Sequence, residues 1–426
     1  MGAYSIVISD LDAEQIYYVR TYAVNSEGTA YGEEELSFTT GEAGRPTVTT
    51  AEVTNINWRT ATSGGELIDD GGAAVIDCGI CWSTSANPEV SDSHISIGIG
   101  TGSYTINMTR LLSNTIYYVR AYAVNRVGTS YGNEVTFSTL QQPPAPIGAI
   151  NGLFSVSDSQ QVWFSHGNLQ YNVVHGTHSV ATGGSVQGTW RFAENQWDYI
   201  GSANANTSST YDGWIDLFGW GTSGWNCGNT YYRPWDANHS CTECYGPYGE
   251  NSLMGSYANS DWGVYNAISN GGNQAGLWRT LTGFRSGSNE WNYVFNTRAT
   301  TSGIRYAMAQ VTDTSLGTVN GLILFPDDWS TTIYNPNNPN QSGVSYSSNV
   351  ISLMQWNTLE QHGAVFLPAA GYRSGTSVND AGSGGCYWLA TYLDSFNASS
   401  VYFSNWSPMT YNRYEGQSVR LVRDAQ

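Results

Sequence analysis

The chain has 426 residues, of which 12% are charged and 13% are aromatic. This length accommodates roughly two to four domains, each able to bury its own core. The formal net charge is −18, and every basic residue is arginine, because the sequence contains no lysine. Nucleic acids and anionic membrane surfaces need a concentrated basic stripe, whereas these arginines are scattered, so both are excluded as partners.

The sequence contains no membrane-spanning run, since none of its apolar stretches reaches roughly 18 residues. The start, MGAYSIVISD, has neither a basic n-region nor an apolar h-region, so no signal peptide is predicted. The first residues instead have the pattern of the middle of a β-repeat. We therefore expect the true N-terminus to lie upstream of this sequence.

An internal repeat occupies the first third of the chain. The segment DLDAEQIYYVRTYAVNSEGTAYGEEELSFTT, from Asp10, recurs as RLLSNTIYYVRAYAVNRVGTSYGNEVTFSTL, from Arg110, with an offset of 100 residues. A period near 100 residues with alternating apolar positions is typical of an immunoglobulin-like sandwich. Only the second copy has a full set of strands, so the sequence predicts a truncated repeat over 1–41 and a complete domain over 42–140.

Three motifs in these copies are specific. They are YYVRAYAVN, the GTSYG turn at Gly128–Gly132 and CWSTSANP at Cys81–Pro88. Through them the first third resembles the fibronectin-type-III-like repeats of Bacteroidetes surface proteins. The resemblance implies a spacer or display role.

A proline-rich segment, QQPPAP, begins at Gln141. Proline favours extended backbone and removes amide donors, so 141–147 is predicted to be a semi-rigid linker. Beyond it, over 148–426, short aromatic strands alternate with loops rich in Gly, Asn and Ser. Two helices are predicted, at Asp261–Ile268 and Thr280–Thr297. The second helix is expected to bury a stripe formed by Leu281, Phe284, Trp291, Val294 and Phe295.

Seven aromatic-centred blocks follow one another in this region. In chain order they are FSHGNLQY, WRFAENQWDYIG, WIDLFGWGTSGWN, WRTLT, GLILFPDDW, FLPAAGYR and a final block from YW to SVRLVRD. In this order they resemble the major-paralogue surface domains of Bacteroidetes and Fibrobacter, over about Leu153 to Arg423. Those domains have a C-type-lectin-like fold related to formylglycine-generating enzymes. The fold class expected for the whole chain is therefore mostly β, with immunoglobulin- or fibronectin-III-like sandwiches and an α+β C-type-lectin-like domain.

The terminal block carries the candidate binding site. Related proteins include targets of diversity-generating retroelements, in which the aromatic- and Asn-rich loop of this block is the mutated segment and contacts the ligand. Here that loop follows Trp388-Leu389-Ala390-Thr391 and precedes a strand at Gly416–Val422. The resemblance places ligand contacts on Leu389, Tyr392, Leu393, Asp394, Phe396, Tyr402, Ser404, Trp406, Tyr411, Asn412 and Tyr414.

The residues themselves support part of this assignment. The segment YLDSFNASSVYFSNWSPMTYNRY is too irregular for one core strand, so some of its aromatic side chains must be exposed. Exposed loop aromatics are typical of a recognition surface. For Tyr402 and Trp406 a core position stays open, and Arg420 and Arg423 are expected to be structural. The residues expected to alternate inward are Val401, Phe403, Val419, Leu421 and Val422.

Six cysteines are too few for a disulfide scaffold. Cys78 and Cys81 lie in a strand-like run and should face opposite sides of a sheet as thiols. Three alternatives stay open for the remaining cluster, namely a zinc site, a loop disulfide and free thiols. That cluster consists of Cys227, Cys241 and Cys244, with His239 nearby.

No enzymatic motif is complete, so we expect no catalytic residue, no metal and no cofactor. Asp327 and Asp328 are adjacent, so their side chains diverge, and a turn with an N-cap role is predicted for them. Cys386 stands alone, without the paired cysteines of formylglycine-generating enzymes. None of the calcium motifs of lectins occurs, and the histidines lack metal-binding spacing. The histidines without such spacing are His166, His175, His178, His239 and His362.

These observations predict a non-enzymatic, extracellular receptor- or ligand-binding protein. Its C-terminal face is expected to be variable, as in an adhesin or a phage tail-fibre tip targeted by a diversity-generating retroelement. The alternative is a fixed glycan- or protein-binding cell-envelope lipoprotein of Bacteroidetes. The expected partner is a protein or glycan on a cell surface, and the expected location is extracellular, on a cell surface or on a virion. The sequence leaves the oligomeric state open.

Overall fold

The structure, a computed structural model, describes residues 4–9, 11–100, 102–173, 189–205, 211–225, 251–283, 289–313, 317–403 and 407–425. The chain divides into two compact units, Met1–Pro143 and Pro144–Gln426. The division falls inside the proline-rich segment 141–147. Strands are the dominant element of both units.

Strands account for all regular structure in the described part of the first unit. They are β1 (Ile16–Val19), β2 (Tyr22–Asn25), β3 (Gly28–Tyr31), β4 (Leu36–Thr39), β5 (Thr47–Thr50), β6 (Ala61–Asp69), β7 (Asp77–Ser83), β8 (Ser93–Gly98), β9 (Gly102–Met108), β10 (Ile116–Asn125), β11 (Gly128–Tyr131) and β12 (Val135–Ser138).

Strands β5 to β12 form an antiparallel sandwich of two sheets. One sheet has the order β5-β6-β9, and the other has the order β11-β10-β7-β8, with β12 also paired to β10. In β10, Tyr117, Val119 and Ala121 are buried and alternate with less buried residues. They pack with Ile80 and Trp82 of β7 in one apolar core. The prediction of a fibronectin-III-like sandwich for the second repeat is confirmed.

The first repeat copies the strand pairing of the second. Tyr17 lies opposite Phe38, as Tyr117 lies opposite Phe137. The offset between Phe38 and Phe137 is 99 residues, not 100. The constant offset expected from the sequence is therefore wrong for β4 and β12, because the first copy has one additional residue before β4.

The two copies differ in burial. Tyr22 of the first copy is 64% exposed, whereas Tyr122 is 1% exposed. Tyr122 is covered by β7 and β8, since its hydroxyl donates to Asp77 at 3.1 Å and its ring contacts His94. The described residues contain no counterpart of these two strands beside β1 to β4. Strands β1 and β4 form one two-stranded sheet, and β2 and β3 form another. Local pairing is thus kept while the apolar face stays exposed.

The thiols of β7 are buried on opposite sides of the strand. Cys78 belongs to the apolar core of the sandwich. The Cys81 thiol lies outside that core and donates to the carbonyl oxygens of Pro88 at 3.4 Å and Arg120 at 3.5 Å. Both cysteines are free, and burial raises the pKa of Cys81 to about 11. The predicted arrangement of two thiols facing opposite ways is confirmed.

The second unit combines short strands with brief helical segments. Its described strands are β13 (Phe154–Ser155), β14 (Gln161–Phe164), β15 (Leu169–Val173), β16 (Thr189–Phe192), β17 (Gly213–Ile215), β18 (Tyr306–Asp313), β19 (Gly317–Leu324), β20 (Val350–Ser352), β21 (Val365–Pro368), β22 (Tyr372–Ser374), β23 (Ser377–Asn379), β24 (Cys386–Tyr392), β25 (Asn397–Tyr402), β26 (Ser407–Asn412) and β27 (Val422–Asp424). Its α-helices are α1 (Trp262–Tyr265), α2 (Glu290–Asn292) and α3 (Leu353–Gln361). Three 3-10 segments, Gly201–Ala205, Gly255–Ser260 and Tyr346–Ser348, and a π-helical turn, Tyr293–Thr297, complete the regular structure of the described residues.

Both predicted helices are shorter in the structure than in the sequence analysis. Helix α1 begins after Asp261, whose carboxylate accepts from the Gly263 amide at 3.0 Å, and it ends at Tyr265. The second helical segment starts at Glu290 and continues as the π turn to Thr297. The stripe residues Leu281, Trp291, Val294 and Phe295 are buried in one core, as predicted, whereas Phe284 lies outside the described residues.

The sheet with the order β20-β18-β19-β21 separates two of the cores of this unit. Met308 and Leu322 face one core, and Ala309 and Ile323 face the other. Helix α3 covers the second core with Trp356. Because successive side chains of a strand alternate between faces, apolar residues on both faces require a cover on both sides.

A buried ion pair joins the start of this unit to the end of β19. The Arg298 guanidinium donates to the Asp327 carboxylate at 3.0 Å. The same carboxylate accepts from the Ser155 amide at 3.0 Å and the Ser155 hydroxyl at 2.6 Å. Asp327 and Asp328 do form a turn, but the expected N-cap role is wrong, because no helix follows and Asp327 is 2% exposed in this pair.

Replacing Asp327 with Ala should lower the free energy of unfolding of the second unit by about 3 to 5 kcal/mol. The reason is that Arg298 would stay buried without its carboxylate. The matched control is Asp328→Ala, since Asp328 is exposed, and its effect should stay within about 0.5 kcal/mol. Urea unfolding followed by tryptophan fluorescence measures both, and equal midpoints for the two variants would contradict the assignment.

Candidate functional site

The predicted ligand face falls on the sheet with the order β24-β25-β26. These strands are antiparallel, and β25 pairs with β26 from Asn397 opposite Asn412 to Tyr402 opposite Ser407. The loop 393–396 and the segment that follows Asn412 therefore lie at the same end of the sheet. We call the loop 393–396 the tip loop.

The sheet is covered on both faces near β24. Trp388 packs in one core and donates its indole N–H to the Phe218 carbonyl at 2.6 Å. Leu389 points the opposite way into a second core and is 0% exposed. Its carbonyl accepts from the Trp220 indole at 2.7 Å. The prediction that Leu389 contacts ligand is wrong, because alternation along a strand with two covered faces places it in the interior.

The core positions predicted for the rest of the block are confirmed. Val401, Phe403, Val419, Leu421 and Val422 are each at most 2% exposed. Alternation correctly separates Val401 and Phe403 from their neighbour Tyr402, which is half-buried.

A carboxylate shapes the tip loop. The Asp394 Oδ1 atom accepts from the amides of Phe396 and Asn397, each at 2.8 Å, and from the Asn397 side chain at 3.0 Å. The hydrogen bond from the Asn397 side chain, followed by those from the two amides, holds the pKa of Asp394 below its ordinary value. Phe396 is 68% exposed at the outer end of this loop. The loop thus presents a large apolar ring on a fixed turn.

Arg413 fastens the tip loop to the core. Its guanidinium donates to the Asp394 carbonyl at 2.6 Å, and its backbone amide donates to the Phe396 carbonyl at 2.9 Å. The guanidinium carbon lies 4.7 Å from the centre of the Trp220 ring. Burial lowers the pKa of Arg413 to about 10, so the side chain stays cationic at neutral pH. The loop is therefore tied to a tryptophan of the interior.

The remaining predicted residues near the tip loop are partly exposed. Leu393, Asp394, Asn412 and Tyr414 have intermediate exposure. Tyr392 is half-buried and packs against the core that contains Trp388. Their contact with a ligand stays a prediction. Ser404 and Trp406 lie outside the described residues.

A second patch forms around Cys386, which we call the tyrosine cluster (Tyr372, Tyr402 and Tyr411). The rings of Tyr372 and Tyr411 are 5.3 Å apart, and the Cys386 thiol lies 3.7 Å from the Tyr411 hydroxyl. The Tyr402 hydroxyl donates to Asp380 at 3.4 Å. Burial, and then the neighbouring Cys386, raise the pKa of Tyr411. Burial also raises the pKa of Tyr372, so both of these phenols are neutral donors and acceptors at neutral pH.

The tyrosine cluster extends along the sheet away from the tip loop, beginning at Tyr411, which pairs with Ala398. Tyr402 lies five residues along β25 from Asn397, which corresponds to roughly 17 Å at the rise of a strand. The structure thus divides the predicted contact residues into a group at the tip loop and a group around Cys386.

Sequence reasoning missed Arg413, Trp220, Tyr372 and Asp380. Tyr372 belongs to the FLPAAGYR block and Trp220 to the WIDLFGWGTSGWN block, so both lie in aromatic-centred blocks of the sequence, which assign them no role at the site. Arg413 lies between the predicted Asn412 and Tyr414. Its alternation with these two neighbours was a usable signal, since it indicates an inward side chain.

The Cys386 thiol and the His166 imidazole are among the titratable groups of this unit that the sequence analysis considered for chemistry and that the structure describes. Among the described residues, no three His, Cys, Asp or Glu side chains could hold a metal together. Burial raises the pKa of Cys386 to about 12, although a hydrogen bond with Tyr411 opposes the rise. Burial and then Arg420 lower the pKa of His166. The cluster of Cys227, Cys241 and Cys244, with His175, His178 and His239, lies outside the described residues.

Arg420 is structural, as predicted. It is 2% exposed and donates to the Gln196 side chain at 2.7 Å and to the Phe366 carbonyl at 3.3 Å. Burial lowers the pKa of Arg420 to about 10. Arg423 is partly exposed in β27.

Asp216 is a buried carboxylate two residues before Phe218. It is fully buried, and its carboxylate accepts from the Ile200 amide at 2.8 Å and the Asn204 side chain at 2.7 Å. Burial raises the pKa of Asp216 to about 6, although these hydrogen bonds oppose the rise. Two residues further, Phe218 supplies the carbonyl that accepts from Trp388.

Comparison with known proteins gives a limited result. No family model matches the sequence, and no curated protein matches it. The sensor domain of the anti-sigma factor RsgI4 in Pseudobacteroides cellulosolvens is 16% identical and covers 24% of this chain and 99% of its own, with a TM-score of 0.19. A fibronectin type III domain of the human KIAA0970 protein is 14% identical and covers 23% and 76%, with a TM-score of 0.18. Domains d3–d4 of the rat CD45 extracellular region are 14% identical and cover 32% and 70%, with a TM-score of 0.21. At these values the likeness carries no argument about function.

Truncation variants separate exposed from buried members of the predicted face. Phe396→Ala should change the free energy of unfolding by no more than about 0.5 kcal/mol, because the ring is largely exposed. Leu389→Ala should cost about 2 to 5 kcal/mol, because it leaves a cavity in a core. Chemical denaturation of the two variants tests this, and an early midpoint for Phe396→Ala would place that ring in the interior.

The raised pKa of Asp216 predicts a pH dependence. The folded pKa, about 6, exceeds the unfolded value of roughly 3.9, so the native state binds a proton more tightly. The stability that Asp216 contributes is present below about pH 4 and is lost as pH rises through about 6. The melting temperature of the wild type minus that of Asp216→Asn should therefore fall between pH 4 and 7. Asp261, also with a pKa of about 6, is common to both proteins and cancels; a difference independent of pH would contradict the assignment.

Proposed function

We propose that the chain is an extracellular ligand-binding protein, in which fibronectin-III-like repeats carry a C-type-lectin-like domain. The contact face is the tip loop with Asn412 and Tyr414. The observation that carries the proposal is Phe396, which is 68% exposed on a loop held by Asp394 and Arg413. A large exposed ring on a fastened turn is typical of a recognition surface.

Fastening the loop favours affinity. Ordering a mobile loop on binding costs free energy, and a loop that is already ordered avoids that cost. Here the loop is fixed by hydrogen bonds that the Asp394 carboxylate accepts and by those that Arg413 donates to backbone carbonyls. The side chain of Phe396 takes no part in them. Its identity can therefore change without disturbing the turn.

This separation of backbone support from exposed side chains supports the finer proposal of a variable face. A segment that a diversity-generating retroelement mutates must keep its fold while its outward side chains change. In the β24-β25-β26 sheet the register is set by backbone pairing, and the core positions are Trp388, Val401 and Phe403. An adhesin or a phage tail-fibre tip would use such a face.

The two patches favour a macromolecular ligand. From Asn397 at the tip loop to Tyr402 of the tyrosine cluster, the proposed face extends roughly 17 Å along β25, and a standard interface of about 800 Å² per partner spans such a distance. Tyrosines combine apolar area with a hydrogen-bonding hydroxyl, which suits either a protein or a glycan surface. We propose a cell-surface protein or glycan as the partner.

A non-enzymatic role is part of the proposal. A nucleophilic cysteine needs a depressed pKa, whereas burial raises the pKa of Cys386 to about 12. Asp327 is committed to Arg298 and is unsuited to acid–base chemistry. Within the described residues, no helix is long and apolar enough to cross a membrane.

The test pairs binding with stability in the full chain. Phe396→Ala and Tyr414→Ala should weaken binding to a partner identified on protein and glycan arrays by about 1 to 4 kcal/mol, as truncation of aromatic hot spots does. Their melting temperatures should stay close to that of the wild type. Trp388→Ala should lower the melting temperature strongly, because Trp388 is 1% exposed in a core.

Two outcomes would overturn the proposal. One is unchanged affinity in Phe396→Ala and Tyr414→Ala, which would move the contact face elsewhere. The other is an early melt for both variants, which would show that the two rings belong to the interior.

A further inference from the structure

The second repeat contains a groove of about 560 Å³ at one end of its sandwich, between β7, β8 and the segment that follows β9. This volume lies within the range of about 300 to 1,000 Å³ that is usual for small-molecule sites. The groove lies entirely within the first unit and is separate from the tip loop and the tyrosine cluster, both of which belong to the second unit.

The floor of the groove is apolar and buried. It consists of Trp82 of β7, Tyr117 of β10 and Leu111 of the segment between β9 and β10, which are at most 9% exposed. The Tyr117 hydroxyl already accepts from the Leu112 amide at 2.9 Å. The ring of Tyr117 therefore contributes apolar surface to the groove, and its polar atom is satisfied by the protein.

The rim is polar and exposed. Asp92, His94 and Arg110 line it, together with the hydroxyl side chains of Thr84, Ser93 and Thr109. One oxygen of Asp92, Oδ2, accepts from the Glu89 amide at 2.9 Å. The Nδ1 atom of His94 lies 3.1 Å from the Asp92 carbonyl. These contacts orient both side chains at the rim.

Arg110 adds an observation from the backbone. Its φ is 62°, in the left-handed region that non-glycine residues rarely adopt and that Asn and Asp tolerate best. The corresponding residue of the first repeat is Asp10. Arginine is not among the residues that this backbone conformation favours, and its long cationic side chain lies at the rim of the groove.

We propose that this groove binds a short neutral saccharide. The C–H face of a pyranose ring matches an apolar floor with aromatic members, and its hydroxyls match a rim of carboxylate, guanidinium, imidazole and hydroxyl groups. A purely apolar ligand would remove water from these polar rim groups without offering them hydrogen bonds in return, which is costly. An anion would meet Asp92 as well as Arg110, and their opposite charges favour a ligand without net charge.

The test uses the full chain on an array of neutral oligosaccharides of glucose, galactose, mannose and xylose, with sialylated and sulfated glycans as the anionic arm. Affinity for the best neutral glycan is then measured by calorimetry. Asp92→Asn and His94→Ala should each weaken binding roughly three- to tenfold, because each removes one polar contact. Both residues are exposed, so their melting temperatures should match the wild type.

Two control variants locate the binding. Glu66→Gln makes the same charge change as Asp92→Asn at an exposed position of β6, in the opposite sheet, and should leave affinity unchanged. Phe396→Ala changes the tip loop and should also leave it unchanged. Saccharide binding lost in Phe396→Ala and kept in Asp92→Asn would assign it to the second unit and overturn the proposal.

Other results would also overturn it. They are retention of anionic glycans alone, the absence of any retained neutral glycan at millimolar concentration, and preferential binding of a zwitterionic amino acid, with phenylalanine as the probe. Each of these is incompatible with a neutral saccharide as the ligand of this groove.

Discussion

Burial of both faces of β24 is the constraint on which the second unit depends. Trp388 and Leu389 point into different cores, and their neighbourhood is fixed by two indole hydrogen bonds, from Trp388 to Phe218 and from Trp220 to Leu389. Because both faces near β24 are covered, Trp388 and Leu389 are withdrawn from the proposed contact face, which begins at the tip loop after this strand. The exposed Phe396 and the fastening of its loop by Arg413 follow from that arrangement.

Sequence periodicity predicted only in part which residues of this site are buried. It failed where burial depends on elements that are distant in sequence. Alternation identified Val401 and Phe403 as interior residues, because one strand face is enough to define such a pattern. It could not show that the other face was also covered, so Leu389 was assigned to the surface. Irregular segments have no period to interpret, and the chemistry of a residue such as Asp394 gave no sign of the turn that it stabilises.

Long-range polar pairs were beyond sequence reasoning for another reason. Asp327 and Arg298 are 29 residues apart, and nothing in the spacing indicates that they meet. Adjacent carboxylates after a proline have the local signature of a turn, and the turn is present. The local signature does not reveal the buried Arg298, which forms an ion pair with Asp327 and not with Asp328.

Comparison of the two repeats shows which structural features depend on local sequence and which depend on distant strands. Arg20 donates to the Gly32 carbonyl at 2.8 Å, and Arg120 donates to the Gly132 carbonyl at 3.2 Å, so the same sequence produces the same local contact in both copies. Tyr22 is nevertheless 64% exposed, whereas Tyr122 is 1% exposed. Strand pairing between near neighbours is thus encoded in the repeat itself, whereas burial depends on strands that are distant in sequence.

Charge further restricts what the face of the second unit can recognise. Arg413 is buried beneath the tip loop, so its cation is directed at backbone carbonyls and a tryptophan ring. Asp394 is near the surface, and Asp380 lies beside Tyr402, in a chain whose formal net charge is −18. One carboxylate at each patch, in a chain of this net charge, favours neutral or cationic partners over anionic ones for the proposed contact face. Since exposed charges are screened within about 8 Å at physiological ionic strength, this selection acts at the patches themselves, where the aromatic rings make contact.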